Sequence, residues 1–251
     1  MTVVVSAPGW AQRWFAIVAQ LPFGQDAATL YPLPKALADG VLVTPLTPER
    51  ASALLEFYLG AHGRLSLQFG PLWVDDDATC ERLLEEGVLK ALSNNTGRKL
   101  LSCFKLAWEE TSVVAPVVPE CTSLVERLGE LRAALWGTAV PPSLSLWHCS
   151  ALGPHARAVS RRGGARVVAA DLTQPLALIQ VFHEECHPRS DPTAVDSALH
   201  RHRETRVGTP GFSVHAALER AAVELGDRIL EEHAPDLLSD YMMWKVRHAM
   251  A

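Results

Sequence analysis

Asp171-Leu172-Thr173-Gln174-Pro175-Leu176-Ala177-Leu178-Ile179-Gln180-Val181-Phe182-His183-Glu184-Glu185-Cys186-His187 is the stretch whose reading decides the fold. Thr173 or Gln174 stands where a helix cap is wanted. Pro175 follows early, where its missing N–H costs nothing. Leu176, Ile179, Gln180 and His183 then share one side of the helix. The run ends in the pattern H-E-x-x-H. Residues four apart share a helix face, so His183 and His187 can both reach one metal ion. Glu184 stands beside them, where a general base for a metal-bound water is expected.

Working outward, a catalytic zinc takes three protein ligands and keeps one open position. The third ligand is expected from a nearby helix, and Ser213 to His233 predicts one. Val214, Leu218, Ala221, Leu225 and Ile229 form its apolar stripe. Arg220, Glu224 and Arg228 make a solvent-facing charge ladder. His215, Glu219, Ala222 and Gly226 form a bordering stripe, where two small residues allow another helix close approach. Glu219 is therefore the expected third ligand, 32 positions after His187. His215 is a supporting residue or a rival ligand.

His183-Glu184-x-x-His187 followed by a helix bearing Glu219 resembles the zincin metallopeptidases, in particular their glutamate-ligand branch, the gluzincins. The resemblance covers about Leu144 to Ile229 and leaves the N-terminal half unassigned. It implies an α+β, mainly helical fold in which a small antiparallel sheet precedes the H-E-x-x-H helix and the glutamate helix. It implies that His183, His187 and Glu219 bind zinc and that Glu184 activates the water. In zincins an edge strand pairs with extended substrate. Ser143-Leu144-Ser145-Leu146-Trp147 alternates as a strand should, and Ala156–Arg161 and Ala165–Ala170 flank the turn signal Gly163-Gly164. Pro141 to Asp171 is the only part with clear strand patterning. Pro188 departs from the pattern. It predicts that the helix ends or kinks at Cys186-His187, shifting His187 from ideal ligand geometry.

Three functions are expected from these residues. The leading one is metal-dependent hydrolysis of a peptide or protein substrate, with Tyr241 as the donor to the oxyanion and His215 and His233 as rivals. The second uses the same His-His-Glu set for Fe(II) with 2-oxoglutarate in a peptide hydroxylase. Arg157 or Arg220 would then clamp the cosubstrate. The third is a non-catalytic peptide-binding protein on a degenerate peptidase scaffold, presenting a peptide to a partner enzyme, as in peptide natural-product maturation.

The remaining chain bounds these options. Its 251 residues are 48% hydrophobic and 20% charged, with net charge −5, which predicts a packed core and gives no electrostatic case for nucleic acid. Arg157, Arg161, Arg162 and Arg166 cluster as a solvated hairpin or a contact for an acidic peptide. Five widely spaced cysteines without C-x-x-C fit free thiols in a reducing cytosol, hence a cytoplasmic protein. No signal peptide and no membrane span are expected.

Residues 1–138 read as a helical region of unknown role and residues 139–251 as the zincin-like metal-site region. In the first, helices are expected over Trp10–Leu21, from a Thr47 cap to about Leu59, from an Asp77 cap to about Leu92, and over Arg98–Glu109 after a break at Asn94-Asn95-Thr96-Gly97. A capping box at Ser123-Leu124-Val125-Glu126 opens another, to about Trp136. Val113–Pro119 reads as a linker. Trp10, Trp14, Trp73 and Trp108 are expected mainly as core aromatics. A last helix, about Pro235 to His248, packs Leu237, Tyr241 and Trp244. His200 and His202 lie two apart, on different faces, and are weak ligand candidates.

Overall fold

A computed structural model describes residues 2–21, 41–42, 45–59, 69–82, 104–113, 117–139, 141–190 and 210–248. His200, His202, the break at 94–97 and the side chain of His215 lie outside the described residues. The fold is mixed α+β, dominated by helix, and the chain divides into two interleaved units. One holds Thr2–Glu120 and Ser143–Gln174; the other holds Cys121–Pro142 and Pro175–Ala251. No helix among the described residues is long and apolar enough to cross a membrane.

The first unit opens with strand β1 (Val3–Ser6) and helix α1 (Gly9–Val18). Strand β2 (Val41–Leu42) follows, then α2 (Pro48–Leu59), α3 (Asp77–Arg82), a helical stretch over 104–110 and β3 (Ser112–Val113). Thr47 caps α2, its hydroxyl accepting the Arg50 N–H at 3.3 Å. Asp76, one residue ahead of the expected cap, accepts the Thr79 N–H at the start of α3. Strands β4 (Leu144–His148), β5 (Ala156–Ser160) and β6 (Arg166–Ala170) complete this unit.

Four strands form one sheet in the order β1-β4-β6-β5. The hairpin β5–β6 is antiparallel as expected, and Gly163 and Gly164 supply its positive φ angles of 79° and 83°. The wholly antiparallel sheet does not stand: β1 and β6 both run parallel to β4. After β4 the chain crosses to the sheet edge, lays down β5, and turns back into the gap between. A hairpin partner of β5 in that gap must run the same way as β4. Val3-Val4-Val5 is a run of β-branched residues, a strand signal in a region expected to be helical. β2 and β3 also fall there, as a two-residue antiparallel pair. β6 is buried at every position, as a central strand between β4 and β5 should be.

The core of this unit gathers Trp14, Phe15, Ile17, Leu54, Leu72, Phe104, Trp108, Trp147 and Val167. Trp14 and Trp108 are therefore core aromatics, in edge contact at 6.2 Å between centroids, whereas Trp73 is exposed. Arg161 is tied inward, donating to the Leu72 and Val74 carbonyls at 2.9 Å each and pairing with Asp75. Arg166 donates to Ser160 Oγ at 2.9 Å. Arg161 thus ties the hairpin to the 72–75 segment, and Arg166 bonds within the hairpin.

The second unit is helical. It contains α4 (Thr122–Trp136), α5 (Ala177–Cys186), α6 (Pro210–His233) and α7 (Leu238–Arg247). α4 starts at Thr122 with Cys121 at its cap position and no capping side chain, so Ser123 lies inside the helix and the expected box does not form. α5 also starts later than the Thr173-Gln174 cap implies. Asp171 instead gathers the Thr173 N–H, the Thr173 hydroxyl and the Gln174 amide into a turn. The tight turn consumes the residues that would otherwise have capped the helix. α5 buries Ile179, Val181, Phe182 and Cys186 around most of its circumference, the mark of an internal helix.

Candidate metal centre

The two helices that carry the candidate ligands belong to the same unit, and α5 packs against both α4 and α6. On α6 the buried face is centred on Ala222, Val223, Gly226 and Leu230. The stripe expected to be apolar is displaced from it: Leu218 is exposed, and Leu225 and Ile229 are half-buried. The displacement has a packing cause. Gly226 lets Tyr241 of α7 come so close that an added Cβ would lie 2.4 Å from its hydroxyl oxygen. Small residues at Ala222 and Gly226 thus turn the adjoining stripe inward, and Glu219 turns with it. Arg220 and Arg228 stay exposed.

His183 Nε2 lies 3.0 Å from Glu219 Oε2, and His187 Nε2 lies 3.6 Å from the same oxygen. One ligand atom from each of the three residues can be chosen so that all lie within 4.8 Å of one another. Tetrahedral zinc with ligands at about 2.0–2.1 Å needs ligand atoms about 3.4 Å apart. The two measured distances bracket that edge. The imidazole rings stand edge-to-face with centroids 4.8 Å apart.

The protonation states also suit a cation. Burial pushes the His183 pKa down, outweighing the hydrogen bond to Glu219, and so favours the neutral, ligating imidazole. Burial would raise the Glu219 pKa, but hydrogen bonds from His183 and His187 outweigh it and hold the carboxyl well below the usual range. The two directions are compatible, because a neutral imidazole still donates Nε2–H to a carboxylate. His183 is buried, while His187 and Glu219 retain 26% and 20% side-chain exposure, so the group opens to solvent on their side. Two imidazoles and one carboxylate, mutually close, form a donor set that fits zinc.

Pro188 acts as expected on the helix. α5 ends at Cys186, and His187 opens a single 3-10 turn, His187–Arg189. His187 nevertheless keeps helical angles, φ −51° and ψ −50°, and stays beside Glu219. Ser190 Oγ donates to the Cys186 carbonyl at 3.1 Å, taking up one of the acceptors at the helix end.

Glu184 is half-buried on α5 next to His183. Tyr241 is fully buried, and its hydroxyl donates to the Val223 carbonyl at 3.4 Å. Its contacts therefore serve the packing of α6 on α7 and give no support to the expected role as oxyanion donor. His233, the rival from the end of α6, lies beside Glu232 at 3.7 Å. Arg157 donates to the Ala156 carbonyl, and Arg220 is exposed.

Two features escape sequence reading. Trp244 of α7 lies against His183 with ring centroids 4.4 Å apart, and Tyr241 and His248 stack on it. Arg132 of α4 forms a buried ion pair with Glu185, inside the motif itself, at 2.7 Å. An arginine within the run Leu131-Arg132-Ala133-Ala134-Leu135 was the available signal, since a charge amid apolar helix positions calls for a partner. Nothing local names Glu185 as that partner, 53 positions away.

Comparison with protein-family models, with curated protein sequences and with solved structures gave no match.

Proposed function

We propose that this protein is a zincin-like, metal-dependent hydrolase of peptide bonds. The observation that carries the reading is the convergence of His183, His187 and Glu219 from two helices, with Glu184 adjoining on the same helix. His183, His187 and Glu219 would hold the ion. Zinc, when bound, supplies a Lewis acid that polarises a carbonyl and brings the pKa of water toward about 7. Glu184 takes the proton of the attacking water and returns it to the leaving amine. The exposed flank at His187 and Glu219 is where an extended peptide reaches these groups.

The test is elemental analysis of the purified chain beside a His183→Ala control, followed by peptide turnover with Glu184→Gln. About one zinc per chain, lost in the control, is expected, and Glu184→Gln should keep the zinc while losing hydrolysis. Turnover that survives Glu184→Gln would reject the mechanism. Iron in place of zinc, with succinate formed from 2-oxoglutarate, would transfer the site to oxygenase chemistry. Peptide affinity that persists without any metal would make the chain a binding protein.

A further inference from the structure

We infer that the Arg132–Glu185 ion pair sets the rotation of α5 about its axis and thereby aims His183 and His187 at Glu219. The inference rests on the metal reading above. It adds two positioning residues that touch neither metal nor substrate.

Arg132 and Glu185 have no exposed side-chain surface. Arg132 Nε donates to Glu185 Oε2 at 2.7 Å, and its Nη2 donates to the Pro142 carbonyl at 2.7 Å. One guanidinium thus ties α5 to α4 and to the segment that follows α4. Successive helix positions are about 100° apart, so Glu185 points almost opposite to both His183 and His187. A hold on that face is a hold on the rotation of the ligand face.

Apolar packing alone fixes this rotation less sharply than a directional bond does. α5 buries Ile179, Val181 and Phe182, and the burial of apolar surface has no preferred direction. A rotation of only about 20° would carry an atom at the helix rim through about 2 Å. Metal–ligand distances tolerate about 0.2 Å. A planar guanidinium with two fixed hydrogen bonds is directional on that scale. His183 itself gets no such help, because its Nδ1 is buried and meets no hydrogen-bond partner among the described residues. Ligating histidines are ordinarily oriented by an acceptor at that nitrogen. Here the orienting falls to the helix and to the Trp244 ring packed against His183. A buried ion pair is also seldom required for stability, since apolar replacements of a pair are often neutral or stabilising.

The experiment compares the full chain with Glu185→Gln and with the apolar pair Arg132→Met/Glu185→Leu. Each is characterised by its thermal midpoint without metal, its zinc affinity, and the visible absorption of its Co(II) form. The apolar pair is expected to fold with a midpoint near that of the parent, to bind zinc about 10–100-fold more weakly, and to show an altered Co(II) spectrum. Glu185→Gln keeps one acceptor for Arg132 and is expected to fall between in zinc affinity, with a lower thermal midpoint because the buried guanidinium charge loses its partner; while it stays folded at the assay temperature, it decides the matter if the apolar pair does not fold. Parental zinc affinity and an unchanged Co(II) spectrum in a folded variant would overturn the positioning role and leave the metal site standing. No zinc in the parent chain would overturn the metal reading and this inference with it.

Discussion

Glu219 keeps its charge in surroundings where burial alone would favour the neutral acid, and His183 loses its charge for the same reason. Each depressed pKa has a sign. Stability contributed by a group with a lowered folded pKa is present above its unfolded value and is lost as the pH falls. For His183 the loss begins near the unfolded value of 6.5, because the unfolded chain takes up the proton that the buried ring refuses. For Glu219 it begins near 4.5. Metal-free protein should therefore show a thermal midpoint that declines as pH drops from 8 to 5, and His183→Gln should flatten the decline. A midpoint equally steep in that variant would assign the effect to other groups. The residues of this candidate site were largely legible in advance, because H-E-x-x-H brings its two histidines to one helix face by spacing alone. Glu219 was legible from the small residues one and two turns further along. The partner of Arg132 was not, because a long-range pair leaves no periodic trace.

At the scale of elements, the contact between α6 and α7 turns on a single missing methyl group. Gly226 lies against the Tyr241 ring, with Cζ 3.0 Å from the position a Cβ would take. Gly226→Ala should destabilise the protein by about 1–3 kcal/mol, despite alanine's better helix propensity. Tyr241→Phe removes the clashing oxygen and one hydrogen bond, at about 0.5–1.5 kcal/mol. The double variant should lose less than the sum, and chemical denaturation of all four proteins measures the coupling. Strict additivity would mean that the two residues do not meet. Helices with strong local signals were found where expected, α2 from its Thr47 cap being one. Some starts moved by a few residues: Asp76 takes the cap before α3, and the Asp171 turn occupies the residues expected to cap α5. The parallel pairing of β1 with β4 was not legible, because each strand's pattern leaves its direction open and the partners lie far apart in the chain.

At the scale of the molecule, metal would join α5 to α6 across the 36 positions that separate His183 from Glu219. A ligand that binds only the folded state stabilises it by mass action, by about 2.7 kcal/mol at 100 times Kd. Zinc should thus raise the thermal midpoint of the parent chain and leave His183→Ala unmoved. An equal rise in both would place the zinc elsewhere.

The interleaving of the two units has a consequence for synthesis. Val3 pairs with Leu144, so at about 5–20 residues per second β1 waits on the order of ten seconds for the strand that completes it. Arg132 waits in turn for Glu185, made only after β4, β5 and β6. On the ribosome, the lone strand edge stays in water through more than half of the chain's synthesis, and the lone buried-to-be charge over the 53 positions between Arg132 and Glu185. The chain's vulnerability to misassembly is therefore a matter of timing, set by how late its contacts fall along the message.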